Sequence, residues 1–187
     1  MMQHTVILKP NMVEVDGKPL AHNAQGAALL TELYRAHIGD YPKFFKMDTL
    51  SKLGFVASEL LLQAEGAERY VPREDRAVIF FNRNASLQAD TAYQATIQDP
   101  DNFFPSPAAF VYTLPNIVTG EIAIRNKYYG ETSFLVIEEN DPDLIKRQLE
   151  NAFQDPQTQS ILGGWLDCID ENHFEAELFL LIPNFKS

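Results

Sequence analysis

The stretch PAAFVYTLPNIVTGEIAIRNKYYGETS, residues 107–133, decides how the rest of the chain is read. Residues 108–128 carry a helical pattern with a break at Pro115, because proline removes a backbone donor and its ring clashes with the preceding turn. Residues 132–137 then read as a strand around the apolar run Phe134-Leu135-Val136-Ile137. Glu138, Glu139, Asn140 and Asp141 follow, and Pro142 suits the first position of a helix. That helix covers 143–153, where Leu144, Ile145, Leu149 and Phe153 recur at helical spacing. Helix, strand and helix follow one another with short links, the rhythm of a layered α/β domain.

The same rhythm extends outward. Residues 5–8 form a short apolar strand that stops at Lys9-Pro10, and 14–20 read as a turn. Residues 26–37 predict a helix closed by Gly39, and Asp48 is placed to cap a second helix running to Leu62. Arg76–Asn82 is continuously apolar through its middle, as a parallel strand covered on both faces should be. Residues 86–97 predict a helix, and the prolines of 99–107 require a loop. Residues 160–169 and 174–183 predict two strands around the turn at Asp170-Glu171-Asn172-His173, the last returning antiparallel. The order β-α-α-β-α-α-β-α-β-β makes residues 1–187 one domain.

Composition excludes several partners. A formal net charge of -11 disfavours nucleic acid and anionic membrane surfaces, both of which need clustered Lys and Arg. No apolar run is long enough to span a bilayer, and the first residues lack the basic and apolar blocks of a signal peptide. The one cysteine, Cys168, has no internal disulfide partner, which points to the cytoplasm. It lies among apolar residues beside Trp165 and Leu166, where a free thiol behaves as a small buried hydrophobe. Glycine-rich phosphate loops and zinc or metalloprotease motifs are absent. Asp99, Asp101, Glu138, Glu139 and Asp141 lack calcium-loop spacing and read as solvated or capping residues, so no metal or cofactor is expected. Tyr41, Phe44, Phe45, Phe103, Phe104 and Phe110 read as core packing, with the lining of a groove as the alternative.

The stretch at 107–133 resembles the segment of β-ketoacyl-(acyl carrier protein) synthases that leads to their catalytic cysteine. Met47-Asp48-Thr49-Leu50, the strand at Ala77, the strand at Phe134 and Ile161-Leu162-Gly163-Gly164 are similar to further pieces of that family in the same order. The resemblance implies the N-terminal half of a thiolase-like fold: a five-stranded mixed sheet with helices on both faces and an antiparallel last strand. Aligned from Gly130, the nucleophile position falls on Glu139. A carboxylate suits a helix N-terminus but is a poor acyl acceptor, since the anhydride it would form is more reactive than a thioester. The family's two catalytic histidines come from a C-terminal half, and His4, His22, His37 and His173 stand in no motif that replaces them.

The resemblance therefore implies a non-catalytic, chain-length-factor-like partner in fatty acid, polyketide or aryl polyene biosynthesis. It would act as a homodimer or as a heterodimer with a ketoacyl synthase subunit, meeting acyl carrier protein only indirectly. Thr132, Phe134, Leu135, Val136 and Ile137 would form the interface, with either Phe134 and Val136 or Leu135 and Ile137 in the contact. Two alternatives stand beside it. One is altered chemistry with Glu139 as a general base in a decarboxylation of malonyl type; the other is a small acyl-ligand binding module.

Overall fold

The computed structural model describes residues 2–101 and 104–183. The chain enters on β1 (Met2–Lys9), turns at Pro10-Asn11 into β2 (Met12–Val15), and turns again into the two-residue β3 (Lys18–Pro19). Asp16 and Gly17 link β2 to β3 with φ of 51° and 71°, the left-handed pair that a two-residue hairpin turn demands. The expected turn over 14–20 is thus corrected to a hairpin. Its Asp-Gly signal lies beside Val13 and Val15, but so short a pair of strands has almost no periodicity to read.

Helix α1 (Ala27–His37) and α2 (Thr49–Leu62) follow, then β4 (Arg76–Asn82), α3 (Leu87–Ile97), α4 (Pro107–Val111) and α5 (Ile117–Asn126). Strand β5 (Thr132–Val136), α6 (Pro142–Ala152), β6 (Ser160–Asp170) and β7 (His173–Ile182) complete the chain. Short helices of tighter winding occupy Pro42–Lys46 and Gln63–Tyr70, the second kinked at Gly66. The helix read across 108–128 is divided at Pro115 into α4 and α5, as its ring requires.

One sheet holds seven strands in the order β3-β2-β1-β7-β6-β4-β5. The expected five-stranded sheet is therefore corrected to seven, because the hairpin adds β2 and β3 outside β1. Strands β6, β4 and β5 are parallel, and β7 is antiparallel to both β6 and β1.

Helices cover both faces unequally. On one face Leu29, Leu30 and Leu33 of α1, most of α2, and Val118 and Ile122 of α5 pack on Val6, Leu8, Val78, Phe80, Leu162, Leu166 and Leu178. Helix α2 is buried almost all round, and Gly54 is what lets it lie so deep. A Cβ there would come within 2.5 Å of Val118 and 2.8 Å of Leu166. On the other face α6 alone lays Ile145 and Leu149 over Ala77, Ile79, Phe81, Ile161, Trp165 and Leu181.

Arg76 is fully buried at the start of β4, donating to Glu65, to Ser160 Oγ (2.9 Å) and to Tyr128 OH (2.9 Å). Burying a guanidinium is tolerable only with such a complete set of partners. Gly130 brings the end of the α5 crossover against this strand, where a Cβ would meet the Arg76 carbonyl at 2.3 Å. Among the described residues no helix is long and apolar enough to cross a membrane.

Candidate functional site

Strand β5 sits at the open end of the sheet. It pairs in parallel with β4 alone, from Val78↔Thr132 to Asn82↔Val136, and among the described residues nothing pairs with its other edge. Its side chains divide by cover. Phe134 leans on the larger core and Ile137 on the smaller one. Thr132 is exposed, Leu135 is 38% exposed and Val136 54%. The structure therefore separates both alternating sets, since one member of each is held by a core and the other is left outside.

A second feature lies at the carboxyl ends of the parallel strands, where α/β sheets place their ligands. A cavity of about 550 Å³ is bordered there by Arg83 and Asn84 after β4, Glu139 and Asn140 after β5, and Asp167 and His173 from the β6–β7 hairpin. Asp167 is committed to the loop after β4: it accepts from the backbone N–H of Arg83 (3.2 Å) and Asn84 (3.0 Å) and from Asn84 Nδ2 (2.6 Å). Ala85 in the same loop has φ of 48° and is held there by the side chain of buried Asn82, which bonds its N–H (3.1 Å) and its carbonyl (2.9 Å). His173 Nδ1 lies 2.9 Å from Asp170. Asp167 and His173 carried no local signal in the sequence, because only the long-range pairing of β4 with β5 and with β6 brings them to Glu139.

Glu139 is exposed and lies before the helix rather than at its first turn. Asp141 is the cap, accepting from the N–H of Asp143 (3.1 Å) and Leu144 (3.0 Å). The donors that could favour a thiolate or oxyanion at this helix end are thus already occupied by a carboxylate. Cys168 is on the opposite face, in the larger core, where burial pushes its thiol up to about 12. His4 is paired with Asp16 (2.9 Å), His22 with the Ala24 carbonyl (3.1 Å), and His37 is exposed at the end of α1.

The other residues singled out in the sequence have local roles. Asp99 accepts from the Asp101 N–H (2.9 Å) in a turn, and the described residues hold no group of three or more His, Cys, Asp or Glu placed for a metal. Phe44 is core and stacks on Tyr34 at 4.1 Å, while Tyr41 stacks on Phe55 at 5.1 Å. Phe45, Phe104 and Phe110 are exposed by half or more, which corrects the core reading for those three, and Phe103 lies outside the described residues.

No family profile matches the chain, and no curated protein does. Solved structures do. The ishigamide ketosynthase/chain length factor aligns with a TM-score of 0.72 and 16% identity over 99% of this chain. This chain spans 62% of that one. The ketosynthase ApeO in complex with its chain length factor ApeC, from Xenorhabdus doucetiae, aligns with a TM-score of 0.58 and 13% identity, over 98% of this chain and 78% of that one. The fold is that of ketosynthase and chain length factor proteins, with a seven-stranded sheet.

Proposed function

We propose that this chain is a non-catalytic, chain-length-factor-like subunit that pairs with a ketosynthase along β5. The observation that carries the reading is the unpaired β5 edge with Leu135 and Val136 exposed on it. An edge strand invites pairing, and most natural edges are blunted by charge or proline. Residues 132–136 contain neither. Exposed apolar side chains gather in the same part of the chain. Of the thirteen large ones among the described residues, eleven fall between Tyr70 and Val136, on the segments that lead into and out of β4 and β5.

Catalysis by this chain is disfavoured on chemical grounds. A condensing enzyme needs a thiolate nucleophile, and Cys168 is buried with its thiol held protonated. A general base at Glu139 would need a closed pocket to shield it, and Glu139 is exposed on the border of an open one. The role proposed is to complete a partner's acyl site and set its chain length in fatty acid, polyketide or aryl polyene biosynthesis, rather than to run a reaction of its own.

The test is the mass in solution by light scattering, for the chain alone and mixed with the ketosynthase subunits of its source. A stable heterocomplex, lost in Val136→Lys while the variant remains folded by circular dichroism, is the expected result. A heterocomplex indifferent to Val136→Lys would remove β5 as the seam, and no complex with any ketosynthase would end the reading.

A further inference from the structure

We propose that the sheet face carrying α6 is a finished surface facing water, so that a partner engages this chain from the β5 side alone. The second half of the statement rests on the function proposed above; the first does not.

Helix α6 has one buried stripe, Ile145 and Leu149, and Leu144 is half-buried. Every other outward position from Asp143 to Asn151 is polar and exposed: Asp143, Lys146, Arg147, Gln148, Glu150 and Asn151. A helix meant to be sandwiched between two sheets would be apolar on two sides. The apolar part of this sheet face is also small and largely covered, with half-buried Phe179 and a cavity of about 310 Å³ beside α6 left open at its margin. Ala77, Ile79, Phe81, Ile161, Trp165 and Leu181 lie under α6 and are at most 6% exposed.

Beyond α6 the face turns polar. Cross-strand partners share a face, so the registers define its rows. One row runs Glu14–Ile7–Glu177–Trp165. In the next, Glu175 lies opposite Asp167 and its carboxylate binds Lys9 Nζ at 2.6 Å. Among the described residues, no ion pair holds Glu14 or Glu177. Covering this face with a second apolar layer would desolvate both carboxylates with no paired cation to offset the loss. Among the described residues, the exposed large apolar side chains are absent from α6, β1 and β7, and Ile169 is the one on β6. The molecule thus separates a polar face from an apolar edge, which is how a surface for solvent differs from a surface for a partner.

Site-specific blocking tests this. Lys146→Cys, Glu177→Cys and Val136→Cys variants would each be modified in the folded state with a bulky polyethylene-glycol maleimide; buried Cys168 contributes no background. In the free chain, Lys146→Cys should react at the rate of an exposed thiol, and Glu177→Cys, at a half-buried position, more slowly but measurably. Protection of either would overturn the inference, since something then covers the face. Mixed with the ketosynthase subunits, chains blocked at 146 or 177 should form the complex and chains blocked at 136 should not. Loss of complex at 146 or 177 overturns the inference, whatever happens at 136. Complex formation by all three supports the open face and overturns the β5 seam. If no subunit binds even the unmodified chain, the proposed function fails and the free-chain rates alone decide the inference.

Discussion

Asp48 caps α2 with a carboxylate that the fold has largely withdrawn from water. It accepts from the Ser51 N–H at 3.0 Å, yet burial outweighs its hydrogen bonds and raises its pKa above the ordinary aspartate value. A carboxyl whose folded pKa is raised lowers stability wherever it is ionised. The penalty is complete above the folded pKa and disappears as pH falls toward the unfolded value. Asp48→Asn keeps the capping oxygen without the charge, so the variant should be more stable than the parent at neutral pH in urea titrations. The gap should close on acidification. Asp48→Ala should lose about 1 kcal/mol with the cap. An Asn variant weaker than the parent at neutral pH would mean the hydrogen bonds outweigh desolvation. The cap itself was legible, because a capping residue and its helix are neighbours in sequence. The exposure of Glu139 was not, since it depends on Asp141 rather than Glu139 taking the cap position of α6.

At the scale of elements, β6 is the strand on which the sheet depends, and two glycines set how closely its neighbours approach. A Cβ on Gly163 would lie 2.4 Å from the Ile79 carbonyl of β4, and one on Gly164 would lie 2.2 Å from the Glu177 carbonyl of β7. Gly164 also has φ of 141°, which side chains rarely adopt. Gly164→Ala should therefore lose about 3 kcal/mol or fail to fold. Gly120→Ala, in the middle of α5 with open space around it, should gain about 0.5–1 kcal/mol. Equal effects of the two substitutions in urea unfolding would defeat this account. The glycine pair was visible in sequence, as were α1, α2, β4, α6 and the β6–β7 hairpin, because each is long enough to show its period. The β2–β3 hairpin and the tight helical turns at Pro42–Lys46 and Gln63–Tyr70 span too few residues for periodicity to register. The count of seven strands follows from that hairpin, whose Asp16-Gly17 turn is its one local signal.

For the whole molecule, the free edge of β5 raises the question of why two copies should not simply pair with each other. Isologous antiparallel pairing centred on Phe134 would set Glu131 of one copy opposite Ile137 of the other, next to Glu138 and Glu139. Both ends of the seam would then gather like charges, on chains that each carry a formal -11. Like charges placed across strands are destabilising, and net charge of one sign opposes association further. A partner with basic or neutral residues at those positions meets no such barrier. Self-association should therefore be weak at low salt and should strengthen once the Debye length shrinks to about 3 Å near 1 M salt. The charge-reversed variant Glu138→Lys should dimerise at low salt where the parent does not. Sedimentation equilibrium across a salt series reads both effects. A homodimer as tight at low salt as at high would show that charge does not select the partner, leaving the shape of the Leu135 and Val136 edge to do so.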